Sequence, residues 1–230
     1  MQTKIIDRYE QKYYLNSNQF YELINLISDN LVEDKYFKET IYNIYFDNDC
    51  YELINKSNEK PIYKEKIRMR SYYKTNKNTN IFLEIKKKFK DNSNKRRVII
   101  SYSDYLNYIN NDTIPDCDKQ IMKEIDYCFK KYNLKQKIKI LYDRISYSLK
   151  SDFDFRITFD TNIRYSFSNF DFNSNDNTLF MEGDYIMEIK TFKGIPLWLN
   201  TILNKIGIKP CSYSKVGKIY EKMLGDGLNV

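Results

Sequence analysis

PIYKEKIRMRSYY, residues 61–73, reads in steps of two. Lys64, Lys66, Arg68 and Arg70 occupy every second position, so an extended chain presents all four cations on one face and Tyr63, Glu65, Ile67 and Met69 on the other. NIFLEIKKKFK, residues 80–90, repeats the pattern, with Glu84, Lys86 and Lys88 opposing Leu83, Ile85 and Phe89. The polar TNKNTN between them predicts a hairpin. KRRVIIS, residues 95–101, reads as a further strand whose period pairs Lys95 with Arg97.

The same alternation extends in both directions. IIDRYEQKYYL (5–15) alternates Arg8, Glu10 and Lys12 with Asp7, Tyr9, Gln11 and Tyr13, and TIYNIYFD (40–47) is strand-like. KIKILYDRISYSL (137–149) carries Arg144 among apolar neighbours. FRITFDTNIRYSF (155–167) sets Arg156, Thr158 and Asp160 against Phe155, Ile157 and Phe159, and YIMEIK (185–190) sets Glu188 and Lys190 against Met187 and Ile189. Helical spacing predicts helices over 20–27, in SDYLNYI, and over 118–132, 195–203 and 214–224, with Asn16 or Ser17 capping the first, and a short helical or turn segment near CYELIN. The stretch 168–178, rich in Asn, Asp and Ser, reads as a loop.

Eight strands with a few amphipathic helices predict an α+β chain, 1–230, folded as one domain: an eight-stranded antiparallel β-barrel with the helices packed outside, since closure removes exposed edges. The charged faces have two readings, a solvated exterior around an apolar core or a polar interior with helices on an apolar outside. Like charges on one face repel by about 1 kcal/mol per close pair even in water, an anion among them removes that cost, and the helices need an apolar face to cover. Both considerations favour the charged face pointing inward.

Composition narrows the chemistry. The 22 Tyr and 14 Phe favour strands, while 6 Gly and 4 Pro argue against a linker or disordered polymer. The net charge of +7 leans towards an anionic partner. With no histidine in the chain, Ser-His-Asp and Cys-His catalysis and His-ligated zinc are excluded. Cys50, Cys117, Cys128 and Cys211 form no C-x-x-C pair and read as free, buried thiols. No apolar run reaches the roughly 18 residues of a membrane helix, and MQTKIIDRYE lacks a signal-peptide core, so a cytoplasmic location is expected. Nucleic acid is disfavoured, because the Tyr residues alternate with the charges and point away from them. The carboxylates Glu10, Glu84, Asp160 and Glu188 share faces with the cations; each reads either as an ion-pair partner or as a ligand for hard Mg2+ or Mn2+ beside phosphate oxygens.

The ordered series RYEQKY, NIYFD, KEKIRMR, FLEIKKK, KRR, YDRISY, FRITFD, IMEIK and SKV, over about 7–217, resembles the VTC domain, the polyphosphate polymerase branch of the triphosphate tunnel metalloenzymes. The resemblance implies an eight-stranded tunnel barrel, a divalent Mn2+ or Mg2+, and transfer of the terminal phosphate of a nucleoside triphosphate, ATP foremost, to a polyphosphate chain. Polyphosphate or pyrophosphate is the implied partner beside the nucleoside triphosphate, and an inorganic or nucleoside triphosphatase and a non-catalytic polyphosphate-binding module are the alternatives. Carried over, it makes Lys12, Arg68, Arg70, Lys86, Arg144, Arg156 and Lys215 phosphate-contacting residues, with Lys66, Lys88, Lys95, Arg97 and Lys190 beside them. Glu188 becomes the principal metal ligand, and Glu10 and Glu84 match acidic tunnel positions. Asn43, Ser146 and Val216 depart from the family pattern without removing a charge. Eukaryotic members work in membrane complexes, which raises a separate membrane subunit as a partner.

Overall fold

The structure, a computed structural model, describes residues 9–59, 61–90, 92–172, 176–179 and 183–225. Residues 5–8 of the first expected strand and 173–175 of the expected loop lie outside them. The elements run β1 (Tyr9–Leu15), α1 (Ser17–Ile27), β2 (Leu31–Asp47), α2 (Glu52–Asn58), β3 (Tyr63–Ser71), β4 (Asn80–Phe89), β5 (Asn92–Ser101), α3 (Tyr102–Asn111) and α4 (Lys119–Tyr132). They continue with β6 (Lys135–Leu149), β7 (Asp152–Ser166), β8 (Asn177–Thr178), β9 (Tyr185–Thr191), α5 (Leu197–Lys205), β10 (Pro210–Cys211) and α6 (Lys215–Gly225). None of the helices is long and apolar enough to cross a membrane among the described residues.

The strands form a large sheet of ten, paired in the order β10-β1-β9-β7-β6-β2-β3-β4-β5, with β8 attached to β7. This corrects the expected eight-stranded barrel in two respects. Two extra strands are only two residues long, too short to show any period, and among the described residues the ladder is not closed: β10 and β5 end it. A third difference is β2, which starts at Leu31 rather than 40. Before Ile41 it buries only Leu31, so its first half lacks the apolar alternation by which a strand is read from sequence.

Local signals set the remaining boundaries. Asn16 caps α1 in a capping box with Gln19: the Asn16 side chain accepts from the Gln19 N–H at 2.9 Å, and the Asn16 N–H donates to the Gln19 side chain at 3.2 Å. The Asp118 carboxylate accepts from the N–H groups of Gln120 and Ile121, both at 3.0 Å, at the start of α4. The predicted hairpin joins β3 to β4 in antiparallel register, Tyr63 opposite Phe89 and Arg70 opposite Phe82.

The chain divides into two compact units, with divisions falling inside β2, β6, β7 and β8 and just before α6. The first comprises the described parts of 1–40, 142–163 and 178–213; the second, those of 41–141, 164–177 and 214–230. In the second unit Ile67, Met69, Leu83, Ile85 and Val98 of the sheet pack with Tyr105 and Tyr108 of α3 and Met122, Ile125 and Cys128 of α4. In the first unit Tyr13, Phe155, Ile157, Phe159, Met187 and Ile189 pack with Phe20 and Leu23 of α1 and Leu199 and Leu203 of α5. Each unit thus covers the apolar face of its strands with two helices and turns the charged face the other way. Polar groups on that second face, among them Asn43, Arg70, Glu84, Thr158, Asp160 and Glu188, are nevertheless buried, whereas of the four cysteines expected as buried thiols Cys128 alone is buried and Cys50 is exposed.

Candidate functional site

In the second unit the register of β3, β4 and β5 converts sequence alternation into rows of side chains. Lys66, Lys86 and Lys95 stand directly opposite one another, and Lys64 opposes Lys88 in the adjoining row. Like charges facing across strands are destabilising, and three in one row is a costly arrangement without an anion. The Lys66 ammonium donates to the Ser214 hydroxyl at 2.9 Å, which brings the start of α6, and Lys215 with it, to this end of the sheet.

The next row, Tyr45, Arg68, Glu84 and Arg97, holds a buried carboxylate among cations. Arg68 Nε and a terminal nitrogen donate to one oxygen of Glu84 at 2.8 and 2.7 Å, the Lys95 ammonium donates to the other at 3.0 Å, and Arg97 is 3.9 Å away. Burial would raise the Glu84 carboxyl, but Arg68, Arg70 and Lys95 bring it down to about 2. Arg68 also donates to the Tyr45 phenol at 3.1 Å. Burial would raise that phenol too; Arg68 and Arg70 outweigh it and lower it to about 8. In the adjoining row Arg70 Nε donates to Asn43 Oδ1 at 3.0 Å, while the Asn43 amide donates to the Ile140 carbonyl at 3.2 Å.

The first unit builds a second constellation on β1, β9 and β7. Glu10, Lys190 and Arg156 form one row and Lys12, Glu188 and Thr158 the next. The Lys190 ammonium lies 3.0 Å from Glu188 and 4.0 Å from Glu10; that of Lys12 lies 4.0 Å from Glu188, 3.9 Å from Glu10, and donates to the Tyr213 carbonyl at 3.0 Å. Burial works against the Glu188 charge, yet Lys190, a hydrogen bond with Glu10, Lys12 and Arg144 hold it well below the usual carboxylate range. Arg144 grips both oxygens of Asp160, at 2.6 and 2.8 Å, and stays charged despite burial. Arg156 pairs with Asp34.

The expected residues therefore fall into two groups. Arg68, Arg70, Lys64, Lys66, Lys86, Lys88, Lys95, Arg97, Glu84 and Lys215 belong to the second unit; Glu10, Lys12, Arg144, Arg156, Glu188 and Lys190 to the first. Lys86, Lys95 and Arg97 are exposed, as is Arg156. Sequence reasoning passed over Tyr45 and Asn43 as partners of the arginines, although TIYNIYFD places both on one face. It also passed over Asp34, for which the irregular first half of β2 offers no signal.

Glu188, ionised and buried, with Glu10 beside it, supplies the hard oxygen donors that Mg2+ or Mn2+ takes, and such ions draw their other ligands from water and phosphate. The pair fits a divalent ion of that kind. Among the described residues no group of three or more Cys, Asp or Glu side chains is arranged for a metal.

The site is an α+β sheet with rows of buried and facing charges, and comparison gives the family. The profile of the VTC domain matches residues 7–224, so the chain belongs to the VTC domain family. Its fold is similar to that of a Bacillus halodurans protein described as a candidate adenylate cyclase, with a TM-score of 0.54 at 13% identity over 90% of this chain and 92% of that one. A Pyrococcus horikoshii protein (TM-score 0.49, 17% identity, 96% and 99% coverage) and a Vibrio parahaemolyticus protein described as a candidate adenylate cyclase (0.49, 10%, 93% and 97%) are more distant in shape. No curated protein matches the chain.

Proposed function

We propose that the chain is a polyphosphate polymerase that moves the terminal phosphate of ATP onto a polyphosphate chain, and that 1–230 works as one VTC domain of the tunnel type in the cytoplasm. The observation that carries this reading is the row of Lys66, Lys86 and Lys95 next to the Lys64 and Lys88 pair, an arrangement that a bound polyanion stabilises.

Phosphoryl transfer asks the protein mainly for positioning and charge neutralisation. The lysine rows bind nonbridging oxygens as point charges, whereas Arg68 and Arg70, held by Glu84 and Asn43, offer oriented guanidinium forks. A terminal oxygen of the polyphosphate attacks the γ-phosphorus, the bond from that phosphorus to the β–γ bridging oxygen breaks, and ADP leaves with the electron pair. The attacking oxygen is already ionised, so the reaction needs no histidine base. Lys12 and Lys190 neutralise phosphate charge in the first unit, with Arg144 kept in place by Asp160. A divalent Mn2+ or Mg2+, when bound, would be held by Glu188 with Glu10 and would offset negative charge on the phosphates. A separate membrane subunit remains a partner to seek for export of the product.

Incubation of the purified protein with ATP and Mn2+, assayed for both long-chain polyphosphate and free phosphate, tests the proposal. Chain growth is expected. Free phosphate without polymer makes it a triphosphate hydrolase, and neither product, with polyphosphate bound, leaves a binding module.

A further inference from the structure

Thr158 stands in the row that contains Lys12 and Glu188, directly across from Glu188 on β9. Only 4% of the residue is exposed, and its hydroxyl has no hydrogen-bond partner among the described residues. Buried hydroxyls are almost always satisfied, because leaving one unpaired forfeits its hydration with nothing in return. The flanking charges on β7 are committed elsewhere: Asp160 is gripped by Arg144, and Arg156 pairs with Asp34.

The chemistry of the row indicates what such a hydroxyl meets. Lys12 and Lys190 are donors without acceptor capacity, Arg144 likewise, and Glu188 already receives Lys190. A further occupant that satisfies these groups is one rich in acceptor oxygens and negative charge. β-Branching stiffens the Thr158 side chain, so its hydroxyl is oriented before any ligand arrives.

We propose that Thr158 is a further phosphate-binding residue, its hydroxyl donating to a nonbridging oxygen of a phosphate chain that Lys12 and Lys190 hold beside Glu188. This rests on the phosphate-chain reading given above. Neither periodicity nor the family resemblance assigns the residue a role.

Thr158→Val keeps the shape and removes the hydroxyl, Thr158→Ser keeps the hydroxyl, and Thr158→Ala gives a second deletion should the valine distort the strand. Tripolyphosphate is titrated calorimetrically into each variant and the wild type, in EDTA and in Mn2+, alongside ligand-free melting curves. The valine and alanine variants should weaken tripolyphosphate about tenfold or more, with serine within about threefold of wild type. The ligand-free melting temperature of the valine variant should hold or rise, because an unpaired buried hydroxyl has been removed. Wild-type affinity in both deletion variants overturns the assignment and marks a hydroxyl satisfied by water or by nothing, with the phosphate-chain reading intact. If the wild type itself binds no tripolyphosphate under either condition, both fall together.

Discussion

Glu84 and Glu188 look alike in the sequence, each an acid two residues from a lysine on a basic strand, and both end up buried among cations. Their surroundings differ in kind. Glu84 is closed: Arg68 donates twice to one oxygen and Lys95 to the other, with Arg97 near, so its lone pairs are spent inside the protein. Glu188 is held differently: its close cation is a lysine, a second lysine stands 4.0 Å off, and the Glu10 carboxyl beside it makes a hydrogen bond with it. Lysine is a point charge on a flexible stem and yields its place more readily than a guanidinium fork. A carboxylate braced by arginines positions those arginines; one faced by lysines can exchange them for a metal ion or accommodate phosphate nearby.

Replacing each by glutamine breaks or sharpens that contrast. Glu188→Gln carries the largest expected effect, a loss of Mn2+-dependent turnover of at least about a hundredfold, on the scale of removing a metal's charge stabilisation. Tripolyphosphate binding in EDTA should survive. Measured activity across Mn2+ concentrations that matches wild type would sink the ligand assignment.

Glu84→Gln should instead act on stability. It strands Arg68 and Lys95 beside an uncharged partner, and breaking a buried pair of this kind costs about 3 kcal/mol, or a fall in melting temperature on the order of 6–12 °C. The same residue sets an acid dependence. With its folded value about 2 and its ordinary value 4.5, Glu84 contributes stability that is fully present above pH 4.5 and is lost as pH falls towards 2. Urea unfolding should show wild type losing on the order of 3 kcal/mol across that window and Glu84→Gln losing distinctly less. Identical acid profiles would show that the carboxylate is not held in this way.

Lys86→Ala is expected to have a smaller effect of divided sign. Removing the middle charge of the row relieves repulsion, so the ligand-free melting temperature should hold or rise by a degree or two, while tripolyphosphate affinity falls about tenfold. A variant that melts lower and binds equally well would mean the row is not an anion site. The smallest effect belongs to Arg156→Ala, since the exposed pairing of Arg156 with Asp34 is worth under about 1 kcal/mol. Loss of tripolyphosphate binding in that variant would move Arg156 from an edge pairing into the site.

Much of this was legible from residue spacing. Lys64, Lys66, Arg68 and Arg70 had to share a face once the segment was extended, and the helices of 118–132 and 214–224 announce themselves through their apolar stripes. The first half of β2 was not legible, because a strand that buries only Leu31 before Ile41 carries no hydrophobic period. Nor were the two-residue strands β8 and β10. Tyr45 shows the same limit at the site: its place on one face with Asn43 was visible, but its contact with Arg68 depends on how β2 registers against β3.

The sequence by itself determined which face of each strand is charged, that the chain lacks histidine chemistry, and that the motif order is that of the VTC domain family. Those properties follow from a period of two, from composition and from residue order, all of which are local or countable. The tertiary structure decided which charges meet. Register set Lys66, Lys86 and Lys95 in one row and enclosed Glu84 with arginines, while it left Glu188 facing lysines and Thr158 without a partner among the described residues. A shift of one residue between two strands would preserve every alternation in the sequence and change every one of those neighbours, because pairing energy depends on what lies across the ladder and not on what lies along it.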